Sequence, residues 1–147
     1  ILKSDGAGGK FLYQKAGGSK FPATIDTVNA GEHFLHQEGK AVFKFAVKNM
    51  ADVSYEIMER NQLTSDDVAW LVPHQANKRI IDATSNRMGI SGDKVLINIH
   101  KYGNTTAASI PIALTEAHQE GKIQKGDHII LAAFGAGYTW ASAAIRW

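Results

Sequence analysis

Residues 68–79 read V-A-W-L-V-P-H-Q-A-N-K-R, and this order leaves the backbone little choice. Val68, Ala69, Trp70, Leu71 and Val72 form an apolar strand that runs into Pro73. A proline holds the residue before it in the extended region, so the strand persists to Val72. Proline is also tolerated in a first helical turn, where its missing N–H has no partner to lose. His74 therefore stands at the C-terminal end of a strand and next to the start of a helix, expected over 75–88 and stopped by Gly89. In α/β sheets ligands gather at such strand ends. The positive end of a helix disfavours imidazolium, so a neutral His74 with one N–H to donate is expected.

Two further stretches have the same form. Residues 95–99 read as a strand, 100–103 as a tight loop, and Asn104 opens a helix over 104–120. Pro111 lies inside that helix, which implies a kink or a late start. Ala107, Ala108 and Ser109 suggest close packing on both of its sides. Phe134-Gly135-Ala136-Gly137 lies between apolar strands at 128–134 and 138–147. Upstream, Phe43, Ala46, Val47, Met50, Ser54 and Ile57 recur at helical spacing over 40–61, with Asn61 as the end cap. Residues 1–39 are glycine-rich, with a short strand at 11–13, a turn at 16–19 and a loop holding His33 and His36. Those two histidines have no further ligand at metal spacing and read as solvated. Strand–helix–strand–helix–strand–strand is α/β layering.

The 147 residues suffice for one domain with a core. A net charge of +2 and no long basic run argue against nucleic acid as a partner. The apolar runs are too short to span a bilayer. The sequence shows no charged-then-apolar leader and so no sign of secretion, and a cytoplasmic location is expected. With no cysteine there are no disulfides, Cys metal sites or Cys nucleophile in this chain.

P-H-Q-A-N, then Y-G-N-T-T-A-A-S, then F-G-A-G-Y-T-W closely resembles the C-terminal half of the 3-oxoacyl-(acyl-carrier-protein) synthase III family, over essentially the whole chain. That resemblance implies one half of a thiolase-like fold, a mixed sheet with helices packed on it, as a domain over 1–147. The cysteine-bearing N-terminal half is then absent, which agrees with a start at Ile1 and with the missing cysteine. Central helices meant to pack on that half would leave an apolar face open.

The family condenses a short acyl-CoA, typically acetyl-CoA, with malonyl-acyl carrier protein, as a homodimer. The thioesters of CoA and of the carrier's phosphopantetheine are substrates, and no cofactor is needed. Decarboxylating a malonyl thioester leaves an enolate oxygen that needs donors placed beforehand. By resemblance His74 and Asn104 supply them, and the Ala136 N–H serves the later tetrahedral oxyanion. The family usually has glycine at the middle of that tip, so the φ of Ala136 must suit alanine. Gln75, Ala76, Asn77, Lys78 and Arg79 match the carrier-binding segment, while Phe43, Asn77 and Phe134 line the pantetheine arm. Lys40, Lys44 and Lys48 form a basic stripe, and Lys44 is its candidate dock for the acidic carrier. Cations at a helix N-terminus are unfavourable by about 0.3–1 kcal/mol, so Lys78 and Arg79 call for an anionic partner.

Each residue also has a plainer role. His74 reads as a helix-capping histidine, Asn104 as an N-cap, and 134–137 as a hairpin turn. Two other functions stay open: a thiolase-fold enzyme of secondary metabolism with another primer, and a non-catalytic carrier-protein or CoA-binding module.

Overall fold

The run H-I-I-L-A-A-F-G at 128–135 is extended, and its alternation sets the layers of the molecule. Ile130, Ala132 and Phe134 enter one core, while Ile129 and Leu131 enter another on the opposite face. A strand covered on both faces can be apolar throughout, as this one is. The computed structural model describes residues 1–147. In chain order its elements are β1 (Leu2–Ser4), β2 (Leu12–Gln14), α1 (Ile25–Asn29), β3 (Leu35–Gln37), α2 (Gly39–Arg60), β4 (Val68–Pro73), α3 (Lys78–Arg87), α4 (Ile99–Tyr102), α5 (Ser109–Gln119), β5 (His128–Gly135) and β6 (Thr139–Arg146).

The main sheet has the order β1-β6-β5-β4, with β4 and β5 parallel and the other neighbours antiparallel. The sheet is therefore mixed. Helix α2 lies over β5 and β6 and packs beside α3, while α5 lies under β4. The larger core joins Val42, Ala46, Met50, Leu71, Ile81, Ile130 and Tyr138. The smaller joins Val72, Leu96, Ala113, Ala117, Ile123 and Ile129. Together they make a layer of α2 and α3, the sheet, and a layer of α5.

Several expectations are corrected. Residues 95–99 are not a strand. They make one parallel bridge, Val95 to Leu71, and Leu96 N–H donates to Leu71 O at 2.9 Å before the chain turns into α4. The N–H groups of Asn98 and Ile99 go instead to the side-chain oxygen of Gln75, at 3.0 and 3.2 Å. The second helix begins at Lys78 rather than residue 75, because Asn77 caps it: its Oδ1 accepts the Arg79 N–H at 2.9 Å. Gly89 follows its end with φ +66°, as expected.

The late start implied by Pro111 is present. A 3₁₀ turn, Thr106–Ala108, precedes α5, and Pro111 falls in its first turn. Only one side of α5 is buried, through Ser109, Ala113 and Ala117, and Ala107 and Ala108 are exposed. Helix α2 buries Ala46, Met50 and Ser54 as expected, but Val42, Val53 and Met58 replace Phe43, Val47 and Ile57 as its innermost residues. Asn61 caps its end, donating from Nδ2 to Ile57 O at 2.8 Å. The early strand at 11–13 is β2, paired with β3. His36 belongs to β3 and stacks on Tyr13, whereas His33 lies 2.9 Å from Thr27 Oγ1. The most exposed large apolar side chains are Leu2 on β1, 87%, and Ile25 and Phe34, each 80%, while Tyr55 on α2 and Tyr102 on α4 are exposed as well. No helix is long and apolar enough to cross a membrane.

The hairpin tip between β5 and β6 is clamped from outside. Tyr138 exchanges two backbone hydrogen bonds with Asp5, at 2.8 and 2.7 Å, and its ring lies against Phe11, Phe45 and Phe134. Gly8 passes so near that a Cβ there would lie 2.1 Å from the ring. Gly8→Ala should therefore destabilise the intact protein by roughly 3 kcal/mol or more, through overpacking. Denaturant unfolding of the variant beside wild type measures it, and an unchanged midpoint would refute it.

Candidate active site

The ladder between β4 and β5 extends one residue past Pro73, since His74 N–H donates to Ala132 O at 2.8 Å. This rung fixes where the imidazole leaves the sheet. The ring Nδ1 lies 2.7 Å from Ser109 Oγ, while Nε2 has no partner within the chain. Burial removes water from the ring and pushes its pKa below the usual histidine value, so the neutral form is favoured at neutral pH.

Asn104 lines the same two cavities as His74. Gly103, which ends α4, has φ +68° and ψ −156°, a combination open essentially to glycine alone. The turn throws Asn104 outward. Its Oδ1 accepts the Thr106 N–H at 2.9 Å, which leaves the Nδ2 donors unpaired. Thr106 itself has φ +51°, an unusual and strained value for a β-branched residue. Ala136 stands at the exposed hairpin tip and is not among the non-glycine residues with positive φ, so alanine is unstrained there.

His74, Asn104, Phe134, Gly135 and Ala136 form a partition between two cavities. One, of about 660 Å³, is lined also by Phe43, Ala76, Asn77 and Arg79. The other, of about 910 Å³, is lined also by Lys3, Ser109, Ile110 and Trp140. A group bound at the partition meets one neutral imidazole, one amide with free donors and a backbone turn. That set suits an oxygen that gains negative charge during a reaction.

The structure thus gathers most of the residues singled out by sequence. Arg79 lies over the Phe43 ring at 5.3 Å, a cation–π contact at the wall of the smaller cavity. Phe134 is 8% exposed and serves the core as well as the partition. Lys40 lines the smaller cavity, while Lys44 is exposed outside it. Lys48 pairs with Asp52 at 2.6 Å and Lys78 with Asp82 at 2.7 Å, each one turn along its own helix and each still exposed.

Gln75 is a correction. It is fully buried and cannot contact a carrier protein. Its Nε2 donates to Pro73 O at 2.8 Å and to Leu96 O at 3.1 Å, while its Oε1 takes the two N–H groups at the start of α4. Ser109 was missed. Its signal is a serine at the head of the row Ser109, Ala113, Ala117, a polar residue on an otherwise small apolar face. Glu116 was missed too. It accepts from Tyr102 Oη at 2.6 Å, Asn98 Nδ2 at 2.8 Å and Lys101 Nζ at 3.3 Å, holding both ends of α4.

Residues 58–147 match the family described as 3-oxoacyl-[acyl-carrier-protein (ACP)] synthase III C terminal. The chain belongs to that family. Its relatives include beta-ketoacyl-[acyl-carrier-protein] synthase III of Chlorobium luteolum, 57% identical over 99% of this chain and 45% of the relative. Among solved structures, synthase III of Thermus thermophilus superposes with a TM-score of 0.86 at 43% identity, covering 100% of this chain and 44% of that one. Synthase III of Pseudomonas aeruginosa PAO1 gives 0.87 at 37% identity, covering 100% and 44%. The chain therefore spans less than half the length of the curated relatives it matches, and its layers are one half of a thiolase-like fold.

The Glu116 knot gives the site an acid limit. Bonds from Tyr102, then Asn98, then Lys101 hold the carboxyl at about 2, below its ordinary 4.5. A carboxylate whose pKa is lowered by folding stabilises the fold above its unfolded value and loses that contribution as pH falls through the folded one. Between about pH 4.5 and 2 the melting temperature of the intact protein should fall less steeply in Glu116→Gln than in wild type. Parallel slopes in a pH series of thermal melts would refute this.

Proposed function

We propose that the complete protein, of which this chain is the C-terminal domain, condenses a short acyl-CoA with malonyl-acyl carrier protein. Acetyl-CoA is the typical primer, and the reaction starts fatty-acid synthesis. The observation that carries the reading is the partition itself. A neutral His74, the free Nδ2 donors of Asn104 and the 135–136 backbone line the same two cavities.

In this mechanism the C–C bond to the malonyl carboxylate breaks, CO2 leaves, and the electron pair passes to the thioester oxygen as an enolate. His74 and Asn104 each donate one N–H to that oxygen and give up no proton. Beforehand the cysteine thiolate attacks the acyl-CoA carbonyl and the CoA thiolate leaves, so that the enolate carbon then attacks the carbonyl of an acyl group held as a thioester on cysteine. The tetrahedral oxyanion meets the Ala136 N–H and collapses, and the cysteine thiolate leaves. The products are 3-oxoacyl-carrier protein, CoA and CO2. The cysteine belongs to the N-terminal half, since this chain has none. CoA and carrier phosphopantetheine enter as substrates, with no resident cofactor.

The smaller cavity seats the pantetheine arm, between Phe43, Asn77 and Phe134. Arg79 and Lys44, with the exposed Asn77 and Lys78 and the adjoining Ala76, form the docking surface for the acidic carrier. The complete protein is proposed as a cytoplasmic homodimer. Primer range would be set with a panel of acyl-CoAs, which also separates this reading from a relative of secondary metabolism.

Two measurements test the proposal on the complete protein. His74→Ala and Asn104→Ala should each lower malonyl decarboxylation by roughly 10²–10³-fold, the usual effect of losing one preorganised donor. Acylation of the cysteine by acyl-CoA should persist in both. Full decarboxylation in either variant would refute the assignment, and carrier binding without turnover in wild type would favour a binding module. Arg79→Glu should raise KM for malonyl-carrier protein by roughly tenfold or more and flatten its salt dependence, with little change toward malonyl-CoA. Equal effects on both substrates would place Arg79 outside the carrier surface.

A further inference from the structure

We propose that Ser109 is a positioning residue that fixes the tautomer of His74, keeping the ring proton on Nε2 and off Nδ1. The inference rests on the functional reading above and concerns the same site.

The geometry leaves one consistent arrangement of protons. Ser109 Oγ lies 2.7 Å from His74 Nδ1 and 3.2 Å from Gln75 N. The Gln75 N–H can only donate, so it occupies one lone pair of the serine oxygen. Ser109 is 2% exposed, and its hydroxyl has no acceptor in reach except Nδ1. The hydroxyl therefore donates to the Nδ1 lone pair, and a neutral ring must carry its proton on Nε2. The reverse arrangement, Nδ1–H donating to Oγ, buries a hydroxyl hydrogen with no acceptor, which proteins rarely tolerate.

The consequence for the reaction is direct. Nε2 is the ring nitrogen without a partner in the chain, and the partition exposes the ring to both cavities. With the proton there it presents a donor to the developing enolate. In the other tautomer it presents a lone pair to the same oxygen and repels it. Because the charge on that oxygen is absent from the bound substrate and develops in the transition state that leads to the enolate, the tautomer acts on kcat more than on substrate binding. Ser109 sits at the start of α5, a few residues after Asn104, so one segment carries one donor and orients the other.

The test uses the complete protein labelled with ¹⁵N-histidine. A long-range nitrogen–proton correlation spectrum should show wild-type His74 with a bare Nδ1 and a protonated Nε2. Ser109→Ala should give a mixed or reversed pattern, with kcat for malonyl decarboxylation down roughly tenfold or more and KM moved less than about twofold. Ser109→Thr keeps the hydroxyl and should restore both the spectrum and the rate. Wild-type His74 protonated on Nδ1 would overturn the proposal. So would a Ser109→Ala protein that keeps the Nε2–H spectrum and full kcat. Where Ser109→Ala does not fold, the wild-type and threonine spectra decide. A wild type with no decarboxylation at all would count against the functional reading alone, and the spectra would still settle the tautomer.

Discussion

The site depends on one buried amide. Gln75 leaves no polar atom of its side chain unpaired: two carbonyls accept from its nitrogen and two N–H groups donate to its oxygen. A buried polar group left without a partner costs about 1–3 kcal/mol, so a fully satisfied amide enforces its geometry strongly. What it enforces is the distance between the end of β4, which carries His74, and the start of α4, which leads through Gly103 to Asn104. Ser109 closes the link from the opposite direction, accepting from the Gln75 backbone and touching the His74 ring. Each segment thus supplies a buried polar side chain that holds the other.

Around this link the sheet does the coarse positioning. β5 brings Phe134 and Gly135 to the partition because it is central, paired on both edges and buried on both faces. The tip that follows would be a free hairpin, but Tyr138 is clamped by Asp5 and by the close passage of Gly8. The first residues of the chain therefore help place the last turn of the site, across more than a hundred residues of sequence.

The α/β class, the main strand at 128–135 and the three motif loops were legible in the sequence because strand and helix periods, prolines and glycines are local signals. Those signals placed His74, Asn104 and Ala136 at loops, the family resemblance singled them out, and all three line the same two cavities. What escaped was decided at long range. Residues 95–99 are strand-like in composition, yet Gln75 captures the amides that a ladder would need. Gln75 looked like a surface residue of a helix, and nothing local says that the helix waits for its cap at Asn77. The cap was readable in principle, since asparagine before a Lys-Arg pair is a common helix start. Ser109 and Glu116 act through partners 35 and 14 to 18 residues away, a separation that no periodicity reveals.

Thr106 carries a consequence for how such a chain changes over time. Its φ of +51° is a small debt of conformational energy beside Asn104, and the N–H it holds out is the one that anchors the asparagine oxygen. Glycine there would relax the backbone and loosen that anchor together. A laboratory lineage bred only for heat resistance would be drawn to this position early, and would drift away from the chemistry as it hardened.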